Sequence, residues 1–209
     1  MRFGTINVQT VVGWVGRVLR FDFSVFEEVR DDQAATAPAV LIVLAGSFVA
    51  GFGTVLWALQ HDDLPDVSAG DVFIKAQVLG SMAQTAVWLG WVYLVHLILT
   101  RGYGHVVTLP ELIRPMGLAF SPIIFSILVG LTVLAVPFGI ASFALVFLFT
   151  NIAIQQTSGA DLRETTLANI TGFLAFVVFM GMFANVAEVG QGGGIGGVAP
   201  GILFFSLDF

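Results

Sequence analysis

Residues 38–59 read PAVLIVLAGSFVAGFGTVLWAL, with no charged side chain between Pro38 and Leu59. At a rise of about 1.5 Å per residue, a helix of this length crosses the roughly 30 Å hydrocarbon core of a bilayer. Pro38 suits a first helical turn, where its missing N–H costs nothing. Gly46, Ala50 and Thr54 recur at four-residue steps and form a ridge of small side chains. Ser47 and Gly51 form a second. Such ridges let helix backbones approach closely in lipid, so these five are the expected helix-packing residues.

Working outward, four more apolar runs follow the first. One extends from about Phe73 to Thr100 and another from about Leu118 to Ala135. After a tight turn expected at Pro137–Gly139, a fourth runs to about Gln155. Thr157-Ser158-Gly159 breaks it, and Asp161 is placed to cap a fifth that reaches about Val189. The third and fourth together hold about twice the length of one span, which favours two passes over one re-entrant hairpin. The whole chain agrees: 57% of its 209 residues are hydrophobic and 11% charged, against about 25% charged in a soluble domain.

Ahead of the spans, Val8, Val11, Val12, Val15, Val18 and Leu19 recur at three- and four-residue steps across residues 5–22. Arg17 and Arg20 fall off that stripe, and Trp14 suits headgroup depth. The pattern fits a helix in the membrane interface or one packed on the bundle. Residues 1–20 contain no apolar core of signal-peptide length, so this start is expected to be retained. Ser24-Val25-Phe26-Glu27 reads as a capping box. The expectation is an all-α integral membrane bundle of five transmembrane helices with an N-terminal interfacial amphipathic helix. Residues 1–33 form the cytoplasmic or interfacial segment, 34–189 the bundle, and 190–209 a Gly-rich and apolar tail.

The basic residues orient it. Arg2, Arg17, Arg20 and Arg30 precede the first span, Arg101 and Arg114 lie between the second and third, and Arg163 lies between the fourth and fifth. All seven arginines fall on one side of a five-pass chain. Lys75, the one lysine, starts the second span and can snorkel outward. By the positive-inside rule the N-terminus is cytoplasmic and the C-terminus lies on the opposite side.

Chemistry-bearing motifs are sparse. There are no cysteines, hence no thiolate metal site, and His61, His96 and His105 stand in separate segments without metal spacing. No metal, cofactor or catalytic residue is expected. Gly192-x-Gly194-x-x-Gly197 matches a dinucleotide fingerprint in letters only, since no strand precedes it. Asn169-Ile170-Thr171 matches a glycosylation acceptor but lies at the membrane. Polar side chains inside spans are functional candidates by default, and here they are Lys75, Gln77, Gln84, His96, Asn151, Asn169, Asn185 and Glu188. Most are neutral amides, which usually join helices. The net charge of −6 argues against a nucleic-acid partner.

Phe26-Glu27-Glu28-Val29 stands just before the first span. Gly102-Tyr103-Gly104-His105 follows the second and leads to Leu109-Pro110-Glu111-Leu112-Ile113-Arg114-Pro115-Met116-Gly117. Gly117-Leu118-Ala119-Phe120-Ser121-Pro122 then opens the third. In this order the chain resembles the bacterial and archaeal branch of the Yip1-domain membrane proteins, with Leu118 where that family has an aromatic. The resemblance extends from about Phe23 to Val189, and Gly102, Gly104, Pro110, Glu111, Gly117 and Pro122 carry it. It implies five helices and a cytoplasmic N-terminus.

The expected function is that of a non-enzymatic membrane scaffold or accessory subunit of a larger membrane complex. The lipid bilayer is one partner, and other membrane proteins or a second copy of this chain are the rest. Two alternatives stand beside it. A small transporter or channel would use Gln84, Asn151 and Asn185. A pigment- or quinone-binding subunit would use His96, with Trp88 and Trp91 near it.

Overall fold

The computed structural model of the chain describes residues 7–60, 70 and 73–186, without the side chains of residues 54, 57–59, 75–76, 132 and 184–186. The described residues are all-α. Five helices are long and apolar enough to cross a membrane: Gln33–Gly53, Gln77–Gly102, Leu109–Gly130, Ala135–Ser158 and Leu162–Phe183. They form a bundle, preceded by a short N-terminal helix. His61, Glu188 and the glycine fingerprint at 192–197 lie outside the described residues.

Helix α1 is Val8–Leu19, with the Asn7 side chain accepting from the Gln9 N–H at its start. Helix α2 is Val25–Asp31. A 3-10 turn, Gln33–Ala35, leads into α3, Thr36–Leu59, which opens two residues before Pro38. The second span begins as a π-wound stretch, Phe73–Leu79, continues as α4, Gly80–Leu97, and ends π-wound at Ile98–Gly102. Helix α5 is Leu109–Ala119, followed by 3-10 windings at Ser121–Gly130 and Thr132–Leu134. Helices α6, Ala135–Ser158, and α7, Leu162–Val186, complete the set.

Three local expectations are corrected. Ser24 and Glu27 form no capping box; the Ser24 hydroxyl instead donates to Asp22 Oδ1 at 2.6 Å and accepts from Arg17 at 3.0 Å. The capping box of this region is at α5, where Glu111 Oε2 accepts from both the N–H and the hydroxyl of Thr108 at 2.7 Å. With that start, the third span begins at Leu109, nine residues before the expected Leu118. Finally, Pro137 and Gly139 lie in the first turn and a half of α6, where proline removes no helical hydrogen bond. The turn itself falls at Leu131, whose N–H bonds Leu128 O at 3.0 Å.

The chain divides into two compact units. The first gathers residues 1–43, 89–122 and 145–173. Its core joins Trp14 and Val18 of α1, Phe26 and Val29 of α2, Leu118 of α5 and Phe149 of α6. Trp14 is therefore buried, with its Nε1–H donating to Glu28 at 3.0 Å. The valine stripe splits: Val18 is buried, whereas Val8 and Val12 are 71% and 64% exposed. Phe21 ends α1 in the left-handed region, at φ 63°, where a non-glycine residue costs about 1–2 kcal/mol. Its ring packs edge-on against Phe23 and Phe149.

The second unit gathers residues 44–88, 123–144 and 174–209. Among its described residues, the packing of α3 on the third span is set by glycine. A Cβ on Gly46 would stand 2.8 Å from the Ile123 side chain, and one on Gly53 would stand 2.5 Å from Ser126 O. Gly130 is pressed in the same way against Leu56.

Candidate functional site

In the second unit, Gln77, Ser81, Gln84 and Thr85 occupy one face of the second span and are all buried. Steps of four and three place them on one stripe. Gln77 Nε2 donates to Phe48 O on α3. The Ser81 hydroxyl donates to Gln77 O at 2.5 Å, and Thr85 to Ser81 O at 2.8 Å. Gly51 exists to admit the amide, since a Cβ there would lie 2.8 Å from Gln77 Oε1. Gln77 Oε1, Ser47 Oγ and Ser126 Oγ are buried and find no hydrogen-bond partner among the described residues.

The first unit has a polar layer of its own. Asn169 Nδ2 donates to Phe147 O at 3.0 Å and to Thr150 Oγ1 at 3.2 Å. Asn151 Nδ2 reaches Thr166 Oγ1 at 3.4 Å. Asn169 is fully buried, which removes it as a glycosylation acceptor. Arg114, 8% exposed, ties three segments together: its Nε–H donates to Thr36 Oγ1 at 2.8 Å and one NH1 proton to Arg30 O at 2.5 Å. Arg30 in turn bonds Gln156 O at 3.2 Å and pairs with Asp31. His105 meets Glu164 at 2.7 Å, joining the loop before α5 to the first turn of α7. Gly104, at φ 77°, turns that loop as only glycine does readily. Asp161 caps α7 through the Glu164 N–H at 2.8 Å, as expected.

At the N-terminal end, Arg17 bridges Asp22 at 2.8 Å and Glu28 at 2.6 Å. The Trp14 and Arg17 hydrogen bonds hold the Glu28 carboxyl below its usual range. The Ser24 hydroxyl, then Arg17, does the same to Asp22. Both acids lift the Arg17 guanidinium further above its ordinary value.

The expected residues divide as follows. Gly46 lies against the third span, Gly51 against the second, and Ala50 and Ser47 are fully buried, while the Thr54 side chain lies outside the described ones. Gly117 lies against Ala39: its Cβ would stand 2.7 Å from Ala39 O. Gly102 closes the π-wound end of the second span, Pro110 lies in the first turn of α5, and Pro122 opens the 3-10 winding. Gln84 and Asn151 fall in different units, and the Asn185 side chain is not described. His96 is half-buried, with Nδ1 unpartnered among the described residues. Trp91, close by, packs edge-on against Phe173 and lies so near Gly172 that a Cβ there would overlap the indole. No group of three or more His, Cys, Asp or Glu poised to hold a metal occurs among the described residues.

Sequence reading missed Gly53, Gly130 and Gly172, and it read Arg114 as a cation of the connection rather than a tie between helices. Gly53 had a signal, since it follows Gly46 by seven residues, two helical turns on. Arg114 had another: a lone cation inside an apolar helix needs acceptors.

Comparison with protein families, with curated proteins and with solved structures returns no match. The class this fold defines is therefore a multi-span all-α membrane protein, with no evident catalytic or metal-binding cluster among its described residues.

Proposed function

We propose that the chain is a non-enzymatic membrane scaffold or accessory subunit of the Yip1-domain type. One observation carries this reading. Two amides within the spans donate to neighbouring helices: Gln77 to Phe48 O, and Asn169 to Phe147 O and Thr150. Amides used this way join helices rather than perform chemistry. Large side chains left outward, such as Phe52, Ile140, Leu148, Leu174 and Phe179, offer apolar surface to lipid or to a partner's helices. Extraction in a mild detergent, followed by size analysis and mass spectrometry, tests it. Co-purifying membrane proteins or a homo-oligomer are expected, and free monomer alone refutes the reading.

The charges support a cytoplasmic N-terminus. Every arginine belongs to the residue ranges of the first unit, and Lys75 is the one basic residue in those of the second. By the positive-inside rule the first unit's arginine-bearing segments are cytoplasmic. A reporter fused after Phe209 is expected to be non-cytoplasmic; a cytoplasmic signal refutes this orientation.

The buried stripe of Gln77, Ser81, Gln84 and Thr85 favours a second reading, a small transporter or channel. It predicts solute or ion flux in proteoliposomes that Gln77→Leu abolishes. Equal flux in the two proteins, or none in either, removes it.

A further inference from the structure

A cleft of about 150 Å³ opens where the N-terminal end of α1 meets the approach to the first span. Helix α1 contributes Asn7, Thr10, Val11 and Trp14 to its walls, and the approach contributes Asp32, Ala34 and Pro38. Val11, the indole and Pro38 make the lining partly apolar. Asn7, Thr10 and Asp32 add side-chain oxygens. Asp32 uses Oδ1 to accept the Ala34 N–H at 2.9 Å. Among the described residues, no basic side chain lies within ion-pair distance of this carboxylate. The nearby cations are held elsewhere: Arg17 by Asp22 and Glu28, Arg30 by Asp31. Trp14 is fixed at the wall by its hydrogen bond to Glu28.

A carboxylate with no basic partner among the described residues, beside neutral oxygens, forms a receptor for an organic cation. The place narrows the choice. Asp32 immediately precedes the first span, and Pro38 lies in its opening turns, so the cleft stands at the depth of lipid head groups. We infer that it binds the primary ammonium of an ethanolamine phospholipid. Three N–H donors match in number the second oxygen of Asp32, the Thr10 hydroxyl and the remaining lone pair of Asn7 Oδ1, whose other accepts the Gln9 N–H, whereas the quaternary ammonium of choline has none to give. The volume equals about five waters of liquid, enough for the four heavy atoms of the ethanolammonium end, with the phosphate left outside. The partial positive charge at the start of α1 opposes a cation, but it is about half a unit against the full charge of Asp32. The same helix end favours the lipid phosphate two carbons away.

The test uses the full chain in phosphatidylcholine nanodiscs containing a minority of phosphatidylethanolamine, with native mass spectrometry reading the retained lipid. Wild type is expected to retain ethanolamine lipid over choline lipid by roughly twofold to fivefold, since both head groups are cations and only the ethanolamine adds N–H donors to an exposed carboxylate. Asp32→Asn is expected to bring the ratio to parity while keeping the Ala34 hydrogen bond. Asp31→Asn, whose carboxylate faces Arg30, is expected to leave it unchanged. Thr10→Val, which deletes one acceptor without touching a charge, is expected to lower the ratio part-way and covers an Asp32 variant that fails to fold. No preference in wild type overturns the inference, as does a preference that survives both Asp32→Asn and Thr10→Val. It is also overturned if Arg2→Gln raises retention of both lipids equally, which marks the cleft as the seat of residues 1–6. Loss of ethanolamine selectivity leaves oligomeric state untouched, so this result and the scaffold reading fail separately.

Discussion

Substituting Gly117 by alanine tests the contact on which α5 and α3 meet. A Cβ at Gly117 would stand 2.7 Å from Ala39 O and 2.8 Å from Ala39 Cβ. Neither atom can rotate aside, because one is backbone and the other is bonded directly to it. The helices must separate by a few tenths of an ångström, and overpacking of this kind costs about 1–3 kcal/mol. Alanine's higher helix propensity returns about 1 kcal/mol. With rigid neighbours the cost lies near the top of its range, and the net loss is about 2 kcal/mol. Gly13 is the control: it is helical, with nothing within 4 Å of its Cβ position, so Gly13→Ala is expected to gain about 1 kcal/mol. Unfolding in mixed micelles by denaturing detergent measures both. The separation between the two variants is expected to be about 3 kcal/mol, and Ala39→Gly in the Gly117→Ala background is expected to recover part of it. If Gly117→Ala is as stable as Gly13→Ala, the close approach of these helices is wrong.

Arg114→Met is expected to cost about 3 kcal/mol by the same assay, since it strands the Thr36 hydroxyl and Arg30 O after removing two charge-assisted bonds; a loss below about 0.5 kcal/mol would contradict the three-way tie. Acidification is expected to loosen α1. Because Glu28 and Asp22 are held below their ordinary values, their contribution is complete above those values and vanishes as pH falls through the depressed ones. Tryptophan fluorescence of a variant retaining only Trp14 is expected to shift below about pH 4, and an unchanged titration in Glu28→Gln would rule out this cause. Purified protein is expected to be colourless, and a visible absorption band that disappears in His96→Leu would instead establish pigment binding.

The spans were legible because hydropathy over twenty residues depends on composition alone. Their ends were less so, for reasons visible at single residues. Glu111 and Arg114 make residues 109–117 look like a polar connection, yet Glu111 is consumed by the capping box and Arg114 by Thr36 and Arg30. Pro137 signals a turn in sequence, but a helix tolerates it in its first turn. The small-residue ridge on α3 could be found from spacing. What it meets could not, because Ile123, Ser126 and Gln77 arrive from other helices. Trp14 shows the same limit: an indole suits the headgroup layer and a core equally well, and only the acceptor on Glu28 decides. The His105–Glu164 pair joins residues 59 apart, and nothing local in either segment announces the other.

The 3-10 winding of Ser121–Gly130 has a geometric consequence for the pairing of α3 with the third span. Each residue there turns about 120° rather than 100° and rises about 2.0 Å rather than 1.5 Å. Over ten residues the difference accumulates to roughly 200° of rotation and about 5 Å of length. Rewound as an α-helix from a fixed start, the segment would carry Gly130 to nearly the opposite side and leave Leu56 facing a different residue. Pitch and fit are thus one choice: the glycines of α3 suit this winding, and a sequence change that alters either one must answer for both.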